Sequence, residues 1–528
     1  MVHFALAPMA AFAFLGHHSS SIHSQNCLAR QLKQPPRGPL KGKTPPSFMS
    51  AGVCSETSNA TATSMEVRLS QVDLSDFEEA SPKQPEANLE EMCHLLGIMP
   101  HGLMRLDTNA DGIRGIYVNR PVLEGDAILR VPLDACLVDD DPPTWWTRAK
   151  EEQDKDGDAS SLYSTPSKWA PRLAASLLDL QLKKEEGASN ENNHHHHRVQ
   201  NGQEQWLSTL PDPSYLRASL PVHWPEHILT SARCTALELA VDSAYFARAE
   251  AVADLMYALR EYCPQAQSIQ HEELERLCHN ALDLVQTRSC RAEPLDNEDE
   301  ASVAGEPPLR VLAPIFDMIN HGSSYRRGKD KANAKFGIEV LQHDQKSRPY
   351  LSVRAISDIQ EETEVLIDYG ASTRPPWKCL LSYGFVPQQS IEDIYDDGDD
   401  NQIVAEVFLD GNRFEVSPST IPVELVEAAT SSWLSEKSAN GVTDPSQEAE
   451  AELELTPEIA LKLARRISAA SSYLLLDNRD VFGVHDFDED VEDAAEDLIS
   501  LQLASSLRWS QHRILRVCAE GLNDFACQ

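Results

Sequence analysis

The chain is constrained most by a short apolar run, Val311-Leu312-Ala313-Pro314-Ile315-Phe316, that ends in Asp317-Met318-Ile319-Asn320-His321. Its brevity and its proline fit a buried strand or extended segment better than a helix, which puts Asn320 and His321 at the exit of that segment. Asn and His at such a point commonly do no more than satisfy turn backbone, so the pair alone points to no chemistry. A second group of elements follows. Residues 349–356 alternate as a strand does, and residues 361–367 read as a further strand after an acidic turn. Tyr369 then falls at a strand end beside Gly370, and Tyr383 precedes Gly384, with Leu380, Leu381 and Phe385 as apolar cover. Taken singly, each tyrosine is equally a core residue at the end of an element.

A third piece lies upstream. Asp111-Gly112-Ile113-Arg114-Gly115-Ile116-Tyr117-Val118 is a Gly-rich turn running into a short strand, and residues 125–132 form a second strand closed by Pro132. The segment lacks the Gly-x-Gly-x-x-Gly spacing and the βαβ setting of a dinucleotide site. Backbone next to glycine can nevertheless approach a ligand closely.

In order and spacing these pieces resemble a SET-domain methyltransferase, and the material between them is similar to the Rubisco large-subunit methyltransferase-like branch. The resemblance implies an α+β fold: SET strands joined by a pseudoknot, divided by a helical insert, and followed by an all-helical C-terminal substrate-binding domain. Here the SET domain is expected over residues 88–390, the insert over about residues 165–285 and the helical domain over residues 400–528. The insert carries a helical stretch over residues 236–261 that stops ahead of Cys263-Pro264, as helices do before proline. Amphipathic helices are predicted over residues 457–476 and 491–525, after one strand-like run at residues 402–409. Residues 139–167 and 183–203 are polar and poorly periodic, and are expected to be loops.

The same resemblance assigns roles. Tyr369 is the expected catalytic hydroxyl, with Tyr383 beside it. Ile113, Arg114, Asn320 and His321 are expected to contact S-adenosylmethionine, and Arg288 to reach it from Val285-Gln286-Thr287-Arg288. From the residues alone, Arg288 is equally a solvated helix-end arginine. Phe316 and Phe385 are expected to line a substrate channel. Histidine-directed members carry Trp at the position of Phe316 and lysine-directed members often something smaller, so Phe is intermediate. One departure stands out: the family places a Ser-Asn or Ala-Asn step where this chain has Thr373-Arg374-Pro375-Pro376-Trp377. A proline is still compatible with a helix start there.

The implied function is S-adenosylmethionine-dependent N-methylation of a lysine on a non-histone protein. The alternatives are histidine N-methylation and a non-catalytic SET-fold module that binds a protein. The residue types suit the chemistry. A lysine amine, with an ordinary pKa of about 10.4, must lose its proton to attack, and an apolar surround favours the neutral form. After that the amine needs aim more than activation.

Composition limits the partners. The chain of 528 residues carries a formal charge of −37, much of it in acidic runs such as Asp139-Asp140-Asp141. That charge disfavours nucleic-acid backbones and favours a basic protein segment. Eleven cysteines include no Cys-x-x-Cys pair, and His194–His197 sit in low-complexity surroundings, so no metal is expected. No His-Glu-x-x-His or Gly-x-Ser-x-Gly occurs, which removes the usual hydrolase signatures. No apolar run has the length of a membrane span, and a monomer is expected. Residues 1–55 hold no Asp or Glu but several Lys, Arg and Ser. The first 60 residues are therefore read as a leader of transit-peptide type, addressed to a plastid, with a cytoplasmic location as the alternative.

Overall fold

A computed structural model of the chain describes residues 88–109, 113–155, 169–185, 194–295, 309–322, 331–343, 346–370, 374–387, 404–418, 420–439, 455–475 and 491–527. The expected leader lies outside them. Asn88–Gln528 falls within one compact unit.

Helix α1 (Leu89–Leu96) opens with the Asn88 side chain accepting from the Glu91 amide at 3.2 Å, and it ends at Gly97, whose φ of 69° suits a residue without Cβ. The hairpin β1 (Met104–Thr108) and β2 (Arg114–Val118) is antiparallel. After β3 (Ala127–Pro132) and β4 (Leu137–Val138) comes a helical stretch. It comprises α2 (Thr144–Lys155), α3 (Trp169–Glu185), α4 (His194–Leu207), α5 (Pro213–Ser219), α6 (Glu226–Ser231), α7 (Thr235–Tyr262) and α8 (His271–Arg288). The chain returns to strands in β5 (Cys290–Ala292), β6 (Leu309–Leu312), β7 (Asn320–His321), β8 (Ala334–His343), β9 (Lys346–Ala355) and β10 (Leu366–Ile367), and then forms α9 (Pro376–Tyr383). The hairpin β11 (Ala405–Leu409) and β12 (Asn412–Val416) precedes α10 (Val423–Ala439), α11 (Pro457–Leu474) and α12 (Val491–Cys527).

The protein is thus a mixed α/β structure. Its five-stranded sheet runs β3-β9-β8-β10-β7. The pair β10–β7 is parallel, with Leu366 opposite Asn320 and Ile367 opposite His321. A second sheet, β4-β6-β5, holds the segment that leads into the Asp317–His321 string. One large apolar cluster joins the sheet strands to α1–α4, α7 and α8, while a separate one joins β11, β12, α10, α11 and the C-terminal part of α12. A third bridges them: Trp224, Ile228 and Leu237 pack with Leu380 of α9 and with Ala504 and Leu507 of α12.

Two expectations are corrected. Residues 139–167 and 183–203 are not simply loops. Helix α2 occupies part of the first segment because Trp145 and Trp146 are buried, with the Trp145 indole donating to Asp179 at 3.0 Å. Helix α4 occupies part of the second and lies against α1 at Gly202, where a Cβ would come within 2.7 Å of the Leu96 side chain. Two anchoring tryptophans and one glycine outweigh a polar composition. The strand expected over residues 361–367 is also shorter. Glu362 has a φ of 66°, which breaks the extended course, and only Leu366–Ile367 pairs in the sheet. The intervening backbone bonds to β2 instead, with the Val118 amide donating to the Thr363 carbonyl at 3.1 Å and the Val365 amide to that of Ile116 at 2.7 Å.

A charged knot lies inside the helical part. Asp283, 1% exposed, receives Arg248 at 2.8 Å and faces His223 Nε2 at 3.0 Å, while Arg248 Nε donates to His279 Nδ1 at 2.9 Å. Removing the carboxylate strands a buried guanidinium. Asp283→Ala is expected to cost about 3–5 kcal/mol of folding free energy in urea titrations, and an unchanged midpoint and slope would contradict this.

Candidate active site

The junction of the distant segments is one side chain. Asn320 Nδ2 donates to the Arg114 carbonyl at 2.8 Å and to Glu364 Oε1 at 2.7 Å, which ties β2, β7 and the approach to β10 together. Gly115 makes this possible: a Cβ there would lie 2.2 Å from Glu364 Oε1 and 2.8 Å from Asn320 Nδ2. Asn333 clamps the same segment by donating to the Glu364 carbonyl at 2.7 Å and accepting from the Leu366 amide at 2.9 Å.

The exit from β6 is sharp. Ile315 has a φ of 69°, and a single 3-10 turn over Phe316–Met318 turns Asp317 inward. Its carboxylate accepts from the Trp206 indole at 3.2 Å and from Arg288 Nη1 at 3.3 Å, and Arg288 also donates to the Asp317 carbonyl at 2.7 Å. Burial raises the Asp317 carboxyl above its usual range, while Arg288, Trp206 and Arg114 pull it back. Arg288 ends α8, where a cation complements the helix dipole. It is therefore a buttress of this turn and not a solvated helix-end residue. Its bonds to Asp317 use Nη1 only, so the remaining N–H groups of the fork stay available to an anion. The Arg114 guanidinium donates to the Thr209 carbonyl at 2.7 Å, and burial together with nearby Arg288 lowers its pKa.

Four rings form the other half. His321 lies 5.4 Å from Tyr369 and 5.5 Å from Phe385 between ring centres, and Tyr383 lies 5.2 Å from Tyr369 and 6.0 Å from Phe385. The Tyr369 amide donates to His321 Nδ1 at 3.3 Å. The Tyr369 hydroxyl donates to the Ile319 carbonyl, so its proton is occupied and its oxygen lone pairs are what it presents. Burial pushes its pKa well up, keeping it a neutral phenol. Tyr383 is raised by burial as well, with Arg374 opposing, and its hydroxyl donates to the Tyr369 carbonyl at 3.1 Å.

Asn320, His321, Arg114, Arg288, Tyr369, Tyr383 and Phe385 are thus brought into one linked set. Two expected residues stand apart. Ile113 is 53% exposed, its backbone bonded only within the hairpin turn to Asn109. Phe316 is buried with its ring edge-on to Phe336 at 4.9 Å, outside the four-ring cluster. Glu364, Asn333 and Asp317 carry weight that was not anticipated. Gly115 signalled a close approach, but nothing in the acidic stretch over residues 361–364 singled out Glu364 as its partner.

Among the described residues no group of three or more His, Cys, Asp or Glu is placed to hold a metal ion, and no helix is long and apolar enough to cross a membrane. No family model matches the chain, and no curated protein matches it. Among solved structures it is similar to the SET domain of LSMT bound to lysine and AdoHcy, with 13% identity over 85% of this chain and 92% of that one and a TM-score of 0.42. It is similar to that domain bound to methyllysine and AdoHcy, with 14% identity, the same coverages and a TM-score of 0.44. It is also similar to Rubisco LSMT bound to AdoMet, with 13% identity over 84% and 92% of the two chains and a TM-score of 0.41.

Gly115→Ala tests the junction. The added methyl displaces Glu364 from Asn320, and a loss of about 1–3 kcal/mol in urea unfolding is expected. A neutral result would mean that the contact is not tight.

Proposed function

We propose that the chain is a SET-type methyltransferase that transfers a methyl group from S-adenosylmethionine to a lysine of a non-histone protein. One observation carries the reading: the Asn320 bridge to Arg114 and Glu364 stands in the same linked set as the four-ring cluster around Tyr369. Residues 88–390 are read as the SET domain, with one strand segment threaded through a loop, and residues 400–528 as a helical domain that receives the substrate protein. The first 60 residues, free of Asp and Glu as far as residue 55, are read as a plastid address.

The chain's own groups fit the donor. Arg288 keeps N–H groups suited to a carboxylate, and Asn320 keeps its Oδ1 as an acceptor beside Gly115, where the missing side chain lets backbone come close. When bound, S-adenosylmethionine supplies a methyl group activated by a sulfonium. Tyr369 contributes oxygen lone pairs that orient a polarised C–H or hold the amine, because its own proton is spent on Ile319. Tyr383 and Phe385 supply apolar walls that favour the neutral amine by desolvation. Lysine suits this surround: a slim, unbranched amine needs only such walls.

Tyr369→Phe is expected to reduce methyl transfer at least about 10²-fold while leaving S-adenosylmethionine affinity nearly intact in calorimetry. Unchanged turnover refutes the role. Asn320→Ala is expected to weaken cofactor binding, and normal binding would leave Asn320 a turn residue. Because Tyr369 is held neutral beyond the ordinary tyrosine pKa of about 10, transfer is expected to rise with pH as the acceptor loses its proton. A decline between about pH 7 and pH 9 would contradict that assignment. A binding module without catalysis has no need to bind the cofactor, so calorimetry on the wild-type chain separates the two readings.

A further inference from the structure

Helix α9 begins with Pro375 as its N-cap and Pro376 as its first residue, and no side chain caps it. Arg374 stands just ahead, at the positive end of the helix dipole, where a cation is disfavoured. It makes no ion pair with a carboxylate among the described residues. Tyr383 holds it instead: Arg374 Nη1 donates to the Tyr383 hydroxyl oxygen at 3.0 Å, and its guanidinium carbon lies 5.7 Å from that ring's centre. Tyr383 is the last residue of the same helix. Helical side chains lean toward the N-terminus, so its ring reaches back along α9 to the guanidinium. With Arg374 donating to the oxygen, the Tyr383 proton is directed to the Tyr369 carbonyl at 3.1 Å.

We propose that Arg374 is a positioning residue of this site: it locks the Tyr383 hydroxyl onto the Tyr369 backbone, and its positive charge beside the aromatic cluster favours a neutral acceptor amine. The second half rests on the methyl-transfer reading; the first stands without it. The charges around the cluster agree. Tyr383 feels Arg374 from just ahead of its helix, Cys379 from within it and Arg310 from β6. Arg310 is half-buried over the Trp169 ring at 4.7 Å and makes no ion pair with a carboxylate among the described residues. Tyr369 feels Arg288, Asp317 and Glu364. Asp317 is engaged by Arg288, Glu364 by Asn320, and Asp368 lies 3.9 Å from His321. Arg374 is thus the cation in direct hydrogen-bond contact with the Tyr383 hydroxyl, while Arg310 acts on it from β6 with Asp139 as its own counter-charge.

The test uses the full chain with tyrosines labelled at Cζ. The Tyr383 resonance is expected to titrate at higher pH in Arg374→Met than in wild type, and to return toward wild type in Arg374→Lys. This arm needs no turnover, and a resonance that does not move overturns the inference. With tritiated S-adenosylmethionine and poly-L-lysine, the acid limb of the rate profile is expected to move up by about one pH unit in Arg374→Met and to be restored in Arg374→Lys. A lowered rate with an unmoved limb overturns the electrostatic half. A wild-type chain that neither binds S-adenosylmethionine nor labels poly-L-lysine, with the Tyr383 shift present, supports the placing of Tyr383 by Arg374 and removes the methyl-transfer reading instead.

Discussion

The site depends on a single amide nitrogen. Asn320 Nδ2 serves the Arg114 carbonyl and the Glu364 carboxylate at once, and each partner comes from a different stretch of the chain. A hydrogen bond to a carboxylate is worth more than one between neutral groups, and a half-buried one is screened less by water. Without it, the hairpin β1–β2 would meet the approach to β10 through backbone bonds such as Val365 to Ile116 and Val118 to Thr363 and through the Arg105–Glu362 ion pair. With it, the exit of β7 and the end of β10 are held in register, and Tyr369 arrives beside His321.

The electrostatics follow from this frame. The chain is strongly acidic overall, with a formal charge of −37, yet the linked set gathers Arg114, Arg288 and Arg374. Arg288 is tethered to the enclosed carboxylate of Asp317, so it sits with part of its fork committed and part free. A net acidic surface with a locally cationic centre suits a basic protein partner outside and an anionic group inside. Tyr369, with its proton bound to Ile319 and its ionisation suppressed by burial, belongs to neither charge class and can only orient what reaches it.

Much of this was legible from the residues, because the informative positions sit at the ends of elements. The glycine beside Tyr369, the long helix before Cys263-Pro264 and the Pro-initiated α9 follow from local rules about proline, glycine and periodicity, whereas Asn320 lies in β7 itself, beyond a 3-10 turn and not at the exit of β6. Partners contributed at a distance were not legible. Glu364 is one of several neighbouring acids, and only the missing Cβ of Gly115 and the amide of Asn320 distinguish it. Helix α2 was hidden for a similar reason, since a polar sequence gives no periodic signal when two adjacent tryptophans do the docking. The packing of Phe316 on Phe336 was not legible either, because position along the chain does not reveal which way the 3-10 turn after Ile315 sends its ring.

The central claim is that the stretches around Arg114, Asn320 and Tyr369 grip one ligand together. Amide hydrogen exchange with and without S-adenosylhomocysteine measures it directly. The account predicts that exchange slows on ligand addition in β2, in β7 and in the segment from β10 to Gly370 at once. Protection confined to one of these stretches, or none in any, would contradict it.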